Sequence, residues 1–141
     1  MQELANKISF GYDNVDEAFP ACDPGVAPFG SRILVQIRTP KQKTAGGVIL
    51  ISDTRETEIY NTQVAKVLAI GSLAFKNRNT MEPWPEGSWC HIGEFVRVPR
   101  YGGDRWTVKT PDGGEALVVI FNDLDLVGKI TGDPLAIKAF L

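Results

Sequence analysis

The sequence has few of the residues from which catalytic and metal sites are usually built. Its 141 residues include one histidine, His91, and two cysteines, Cys22 and Cys90. One histidine excludes a zinc site built on paired histidines. The glycine-rich phosphate-binding motifs G-x-x-x-x-G-K-[ST] and G-x-G-x-x-G do not occur. Catalysis is therefore the weaker hypothesis from composition.

Long apolar runs and a large excess of one charge are also missing. The longest apolar run, residues 116–121, is far too short to cross a bilayer. Residues 1–10 lack the apolar stretch of a signal peptide, so we expect a cytoplasmic chain with no membrane contact. A net charge of -2 and an isoelectric point near 5.4 give no reason to expect nucleic acid as a partner. A chain of this length needs no disulfide, so both cysteines are expected to be reduced.

The residues that are present predict an all-β domain. Apolar residues make up 43% and charged residues 23% of the chain, as in ordinary globular domains. Fourteen glycines and nine prolines divide the chain into short pieces rich in β-branched residues. The predicted strands cover residues 32–38, 48–51, 63–70, 94–98, 106–109, 117–121 and 125–130. Several short strands separated by turns indicate a barrel or a sandwich.

The two ends of the chain differ from this pattern. Residues 1–28 combine acidic residues with prolines and lack clear periodicity, which predicts an irregular arm with a short helix over residues 14–18. Residues 131–141 form a short apolar tail.

Two pairs of neighbouring side chains are candidates for a metal site and for a nucleophilic site. Asp123 and Asp125 would share one face of an alternating strand, and two carboxylates on a solvated face need no metal. Cys90 and His91 are adjacent, so on a strand they would point to opposite faces and form no nucleophilic pair. Both pairs are predicted to be structural.

The sequence has three tryptophans, Trp84, Trp89 and Trp106, and several arginines in the same region, and one interpretation of them is a stacking surface for single-stranded nucleic acid. The acidic isoelectric point and the lack of a basic cluster favour packing in the core or in turns instead.

Residues 39–61 are the segment most suggestive of function. Polar residues lead through Gly46 and Gly47 to the apolar run Val48–Ile51, and more polar residues follow. One interpretation is an internal strand with polar flanks. The other is an exposed loop whose apolar tip docks on another protein, with the glycines keeping it pliable. Composition leaves both open.

At this point the sequence resembles a known family. Residues 31–35 (S-R-I-L-V) and 44–50 (T-A-G-G-V-I-L) are similar to the start of the GroES-type co-chaperonins. In that family a first strand precedes a mobile loop that contains S-A-G-G-I-V-L. Residues 64–71, 91–96 and 121–128 are similar to its later strands. The resemblance covers about residues 29–130.

The resemblance implies a GroES-like irregular β-barrel over residues 29–130, with a mobile loop at about 39–61 and a roof-like insertion at about 72–88. Residues 1–28 would be an N-terminal extension and residues 131–141 a C-terminal tail. The chain would assemble into a ring of seven subunits that caps a GroEL-type chaperonin and assists protein folding. It would be no enzyme and would hold no cofactor, because the partner chaperonin binds the ATP. The implied partner-binding residues are Gly46, Gly47, Val48, Ile49, Leu50 and Ile51.

The added segments are similar to those of phage-encoded members of the fold and leave an alternative open. A phage chain with this barrel would be a virion structural protein that decorates or stabilises the capsid, located in the virion, with capsid protein as its partner. A third hypothesis is a β-module that binds carbohydrate or nucleic acid. The sequence alone does not choose between a working co-chaperonin and a virion component.

Overall fold

The computed structural model describes residues 14–39 and 62–137, and its main feature is one antiparallel sheet. The elements are the helix α1 (Val15–Ala18), the strands β1 (Arg32–Ile37), β2 (Val64–Ile70), β3 (Phe95–Arg97), β4 (Asp104–Lys109), β5 (Glu115–Asn122) and β6 (Gly128–Lys129), and a 3-10 turn at Asp123–Asp125. The strands lie in the order β4-β5-β1-β2-β3-β6. The predicted all-β class is confirmed.

The sheet is open, which corrects one detail of the expected barrel. Each neighbouring pair of strands is antiparallel, and the two outer strands are β4 and β6. Within the described residues these outer strands do not pair with each other, so hydrogen bonds do not close the sheet. The structure is thus consistent with the expected all-β GroES-like fold, and its sheet does not close into a barrel within these residues.

The core is organised around the two central strands. Five successive residues of β1, from Ile33 to Ile37, are buried, and β5 is buried from Ala116 to Val119. Runs of apolar and β-branched residues with no polar alternation are typical of strands covered on both faces. The covering on one face comes from the 72–90 region, where Phe75 and Cys90 join the main core.

The predicted short helix near the N-terminus is confirmed. It begins after Asn14, whose side-chain oxygen accepts the backbone N–H of Glu17 at 2.9 Å. An asparagine in this position satisfies an N–H that the first turn leaves without an intrahelical partner. Ala18 at the end of α1 and Phe19 after it are both buried, so the arm packs on the domain.

The roof-like region folds as a compact hairpin with an aromatic core. Lys76 and Pro83 form its bridge, and the N–H of Trp84 donates to the carbonyl of Phe75 at 3.0 Å. The rings of Trp84 and Trp89 lie 4.8 Å apart, and both also contact Phe75. The two tryptophans thus pack against the core, as predicted, and Met81 is exposed in the connecting turn.

The last predicted strand is largely replaced by a turn. The sequence predicts a strand over residues 125–130, but the structure has the 3-10 turn at Asp123–Asp125 and then only the two residues of β6. At the start of this turn the N–H of Asn122, the last residue of β5, donates to the carboxylate of Asp125 at 3.3 Å, a local side-chain contact of the kind that competes with strand pairing.

Asp123 is buried, which contradicts its predicted place on a solvated face. Only 4% of the residue is exposed. One carboxylate oxygen accepts the N–H of Phe75 at 2.9 Å, and the other accepts the N–H of Leu124 at 2.8 Å. Phe75 has a φ of 61°, a conformation that costs a non-glycine residue energy. The bond from Asp123 helps to hold Phe75 in that conformation, while Asp125 is exposed as predicted.

Candidate functional site

The antiparallel pairing of β1 and β2 brings the two ends of residues 40–61 to one end of the sheet. Ile37 pairs with Ala65, and the N–H of Arg38 donates to the carbonyl of Val64 at 2.9 Å. The chain leaves the described sheet after Thr39 and re-enters it at Thr62. We call Arg38, Thr39, Thr62 and Gln63 the anchor residues, since they flank this segment.

The predicted partner-binding residues lie outside the described part of the chain. These are Gly46, Gly47, Val48, Ile49, Leu50 and Ile51, and the predicted strand over residues 48–51 lies there too. Both interpretations of residues 48–51, as an internal strand and as an exposed docking tip, therefore stay predictions. The structure describes the anchor residues on either side of that segment and the contacts that these residues make.

Arg38 connects the end of β1 to the C-terminal tail. It is 9% exposed, and its Nη1 donates to the carbonyls of Pro134 and Ile137, both at 2.9 Å. The tail is a turn in which the N–H groups of residues 136 and 137 donate to the carbonyl of Asp133. The guanidinium thus binds two carbonyl groups of this turn, as arginine side chains near the end of a helical turn commonly do.

The N-terminal arm contacts the same end of β1. The N–H of Thr39 donates to the carbonyl of Ala18 at 2.8 Å. The side-chain nitrogen of Gln36, buried in the middle of β1, donates to the carbonyl of Pro20 at 2.8 Å. A buried amide is costly without a partner, so this bond satisfies Gln36 and fixes the arm beside the anchor residues.

The anchor residue Gln63 is held by the last residue of β3 and the residue that follows it. The N–H of Val98 donates to the carbonyl of Gln63 at 2.9 Å, and the side chain of Gln63 donates back to the carbonyl of Val98 at 3.3 Å. Arg97 adds a bond to the side-chain oxygen of Gln63 at 3.3 Å. Thr62 is 2% exposed.

A second, smaller core lies under the anchor residues. Its buried members are Ala18, Phe19, Val64 and Ile130, and Phe95, Leu135 and Ile137 pack against it. The arm, the tail and the sheet thus share one apolar cluster. Phe19 contacts Phe95 with the ring centres 5.1 Å apart.

Exposed apolar side chains mark other parts of the surface. Phe29 is 81% exposed and lies just before β1, and Val127 is 62% exposed and lies just before β6. Leu124, in the turn after β5, is 71% exposed. The two outer strands leave their outer backbone groups without a strand partner within the described residues. Exposed apolar residues beside open strand edges are typical of surfaces that a further chain covers.

A small ionic group lies between β3 and β6. Lys129 Nζ is 2.7 Å from Glu94 Oε2, and Nδ1 of His91 is 3.3 Å from Glu94 Oε1. The hydrogen bonds from Lys129 and then from the backbone and ring of His91 hold the pKa of Glu94 below its ordinary value. His91 and Lys129 are exposed and Glu94 is half-buried, so water screens the group and it contributes little to stability.

The other sequence pairs form no site. Cys90 is buried and His91 is exposed, so they diverge as predicted. Burial raises the pKa of the Cys90 thiol to about 11, far from that of a reactive cysteine. Neither Cys90 nor Cys22 is in a disulfide. Across residues 14–39 and 62–137, no three His, Cys, Asp or Glu side chains lie close enough to hold a metal ion. No helix in those ranges is long and apolar enough to span a membrane.

Sequence reasoning missed the roles of Gln36 and of the anchor residue Arg38. The signal for Gln36 was a lone amide inside the apolar run of residues 33–37, which requires a buried partner. The signal for Arg38 was a long charged side chain at the end of a buried strand. Their partners are backbone carbonyl groups of the arm and the tail, which no residue pattern reveals.

Comparison with known proteins adds a family. Residues 25–130 match the family model described as Chaperonin 10 Kd subunit. A protein named Co-chaperonin GroES from Streptococcus thermophilus is 30% identical over 105 residues, covering 71% of this chain and 92% of that protein. Proteins of the same name from Enterococcus faecalis and Listeria innocua are 28% and 26% identical, with 69% and 72% of this chain and 92% and 97% of those proteins covered.

Proposed function

This chain belongs to the family of the chaperonin 10 Kd subunit, and we propose that it is a co-chaperonin lid that caps a GroEL-type chaperonin. The observation that carries the proposal is the match over residues 25–130, which includes every strand of the sheet. The relatives named Co-chaperonin GroES are matched over nearly their whole length. A role in chaperonin-assisted protein folding follows from that membership. The proposal gives the chain no catalytic activity and no cofactor, because ATP is bound by the partner.

We propose that Val48, Ile49 and Leu50 are the part that binds the chaperonin. The support is the resemblance of T-A-G-G-V-I-L to the mobile loop of the family, together with the position of the anchor residues. Thr39 and Thr62 lie at one end of the sheet. A chain extends by at most about 3.4 Å per residue, so Ile49 can reach up to about 34 Å from Thr39. That reach is enough for a tip that binds away from the body of the domain.

The energetics of such a tip favour several weak contacts over one strong contact. Burying three apolar side chains contributes about 1.5–3 kcal/mol each. Ordering the surrounding residues costs about 1 kcal/mol per residue, so a single segment should bind weakly. Several copies in one ring would bind together, and their combined strength would make the lid hold.

Self-assembly into a ring is part of the same proposal. It is supported by the open edges of β4 and β6 and by the exposed side chains of Phe29, Leu124 and Val127. Covering such side chains in subunit contacts would remove apolar surface from water. The resemblance implies seven subunits, a number that sedimentation of the purified protein will measure.

The test of the docking tip is the substitution Ile49→Asp, with Thr44→Asp as the matched control. Both place a carboxylate in the same segment, but only Ile49 belongs to the apolar tip. We expect the free energy of unfolding of both variants to lie within about 0.5 kcal/mol of that of the parent, as is usual for surface substitutions. Only Ile49→Asp should abolish nucleotide-dependent binding to a GroEL-type ring, since an unpaired carboxylate in an apolar groove costs several kcal/mol.

Two results would contradict this part of the proposal. Unfolding of Ile49→Asp would show that the segment is an interior strand. A stable Ile49→Asp variant that still binds the ring would show that the tip is elsewhere. The family match favours the co-chaperonin role over the virion role that the sequence also allowed.

A further inference from the structure

Both chain ends that extend beyond the family match meet at the anchor residues. The match covers residues 25–130, whereas Ala18 in the arm and Pro134 and Ile137 in the tail lie outside it. All three offer backbone carbonyl groups to residues at the end of β1. The added segments are thus bound beside the one part of the domain from which residues 40–61 depart.

We propose that Arg38 is a positioning residue that couples the C-terminal tail to the start of residues 40–61. This inference rests on the proposed co-chaperonin function. Arg38 lies two residues before the segment, and its Nη1 donates to two tail carbonyls, both at 2.9 Å. The backbone N–H of the same residue donates to Val64 on β2. One residue therefore joins the tail, β1 and β2 at the point of departure.

The arrangement is specific to the geometry of an arginine. The guanidinium is planar, always charged and weakly hydrated, so it binds carbonyl groups at a buried position more readily than an ammonium group does. Arg38 is 9% exposed. The tail turn presents its two carbonyls three residues apart, at Pro134 and Ile137, and Leu135 between them packs on the small core.

The consequence for function is that Arg38 and Thr39, the last described residues before the segment, are held in place. A segment whose ends are fixed loses fewer conformations when it binds, which raises affinity without any new contact. The tail holds Arg38 and the arm holds Thr39 through Ala18, so each extension restricts one of two adjacent residues. Loosening the tail should therefore weaken chaperonin binding even though the tail need not touch the chaperonin.

The test is Arg38→Met, which keeps an apolar stem but removes the donors, with Arg32→Met as the matched control. Arg32 is at the other end of β1 and is exposed. The first readout needs no chaperonin: hydrogen exchange at the amides of Ala136 and Ile137, which donate to Asp133 in the tail turn. We expect Arg38→Met to speed this exchange selectively and Arg32→Met to leave it unchanged.

The second readout is nucleotide-dependent binding to a GroEL-type ring, at a temperature where both variants remain folded. We expect the apparent affinity of Arg38→Met to fall by about tenfold or more relative to Arg32→Met, since a loss in each subunit is multiplied in a multivalent ring. If Arg38→Met does not fold, Leu135→Ala loosens the tail without changing Arg38 and serves both readouts.

Each contrary outcome is distinguishable. Unchanged exchange in the tail would overturn the coupling, whatever the protein binds. Faster exchange with the affinity of the Arg32→Met control would overturn the positioning role. If the parent protein binds no chaperonin, the proposed function fails and the positioning role fails with it, whereas the exchange readout still reports on the contact itself.

Discussion

Removing the carboxylate of Asp123 should destabilise the domain more than removing the carboxylate of Asp125, the other acidic residue of the 3-10 turn. Asp123→Ala deletes the acceptor of two backbone N–H groups, those of Phe75 and Leu124. Phe75 is 2% exposed, so water does not replace its lost partner. A buried N–H without an acceptor costs about 1–3 kcal/mol, and a hydrogen bond to a charged group contributes about 1.5–3 kcal/mol. Leu124 is exposed and can bind water, so the expected loss is about 2–4 kcal/mol in total.

The assay is urea unfolding followed by tryptophan fluorescence, since Trp84 and Trp89 pack against Phe75. The control is Asp125→Ala, which removes a carboxylate from the same turn. Its carboxylate accepts the N–H of Asn122 at 3.3 Å in an exposed position, where water can replace it, so the expected loss is below about 1 kcal/mol. An Asp123→Ala variant as stable as the Asp125→Ala control would refute the claim that this buried carboxylate holds the hairpin.

Three further predictions concern a close backbone contact, a buried thiol and an acidic side chain. Gly71→Ala should destabilise the domain strongly by thermal melting, because its new Cβ would lie 2.1 Å from a backbone oxygen, whereas Gly132→Ala, with open space around it, should not. Cys90 should resist a thiol reagent at pH 8 in the folded protein and react in urea, because its thiol is buried with a pKa of about 11. Lys129 lowers the pKa of Glu94 below its ordinary value of 4.5. The stability that Glu94 contributes is therefore present above pH 4.5 and is lost as the pH falls through the folded-state pKa. The difference in unfolding free energy between the parent and Glu94→Gln should therefore shrink on acidification below pH 4.5, and a difference that stays constant would contradict this pKa shift.

The strands β1 to β5 were predictable because each one carries a local signal. The apolar, β-branched run of β1 and the turn residues before β5 marked the two central strands of the sheet. The short helix predicted over residues 14–18 corresponds to α1, which Asn14 caps. These signals depend on neighbours in the chain, and a single sequence contains them.

The fate of the last strand was not predictable by the same reasoning. Alternation predicted a strand over residues 125–130, but aspartate side chains compete with strand partners for backbone N–H groups. Asp123 reaches the N–H of Phe75, 48 residues earlier in the chain. A contact so distant in sequence leaves no periodic pattern, and the open sheet edge likewise depends on which strands meet in space.

The candidate site divides in the same way. The family resemblance located the segment that contains Val48, Ile49 and Leu50, and that role stays a prediction because these residues lie outside the described part of the chain. The contacts of Arg38 were not predicted, because the partners of this side chain are the carbonyl groups of Pro134 and Ile137. Every residue has a carbonyl, so nothing in the sequence singles these two out.

The central claim is that this protein caps a chaperonin, and sedimentation of the purified protein with a GroEL-type ring tests it most directly. The measurement compares samples with ATP and without nucleotide, and a Co-chaperonin GroES from one of the related bacteria serves as the positive control. The account predicts that the protein sediments with the ring only when nucleotide is present. Failure to sediment with the ring in either condition, while the control protein binds, would contradict it.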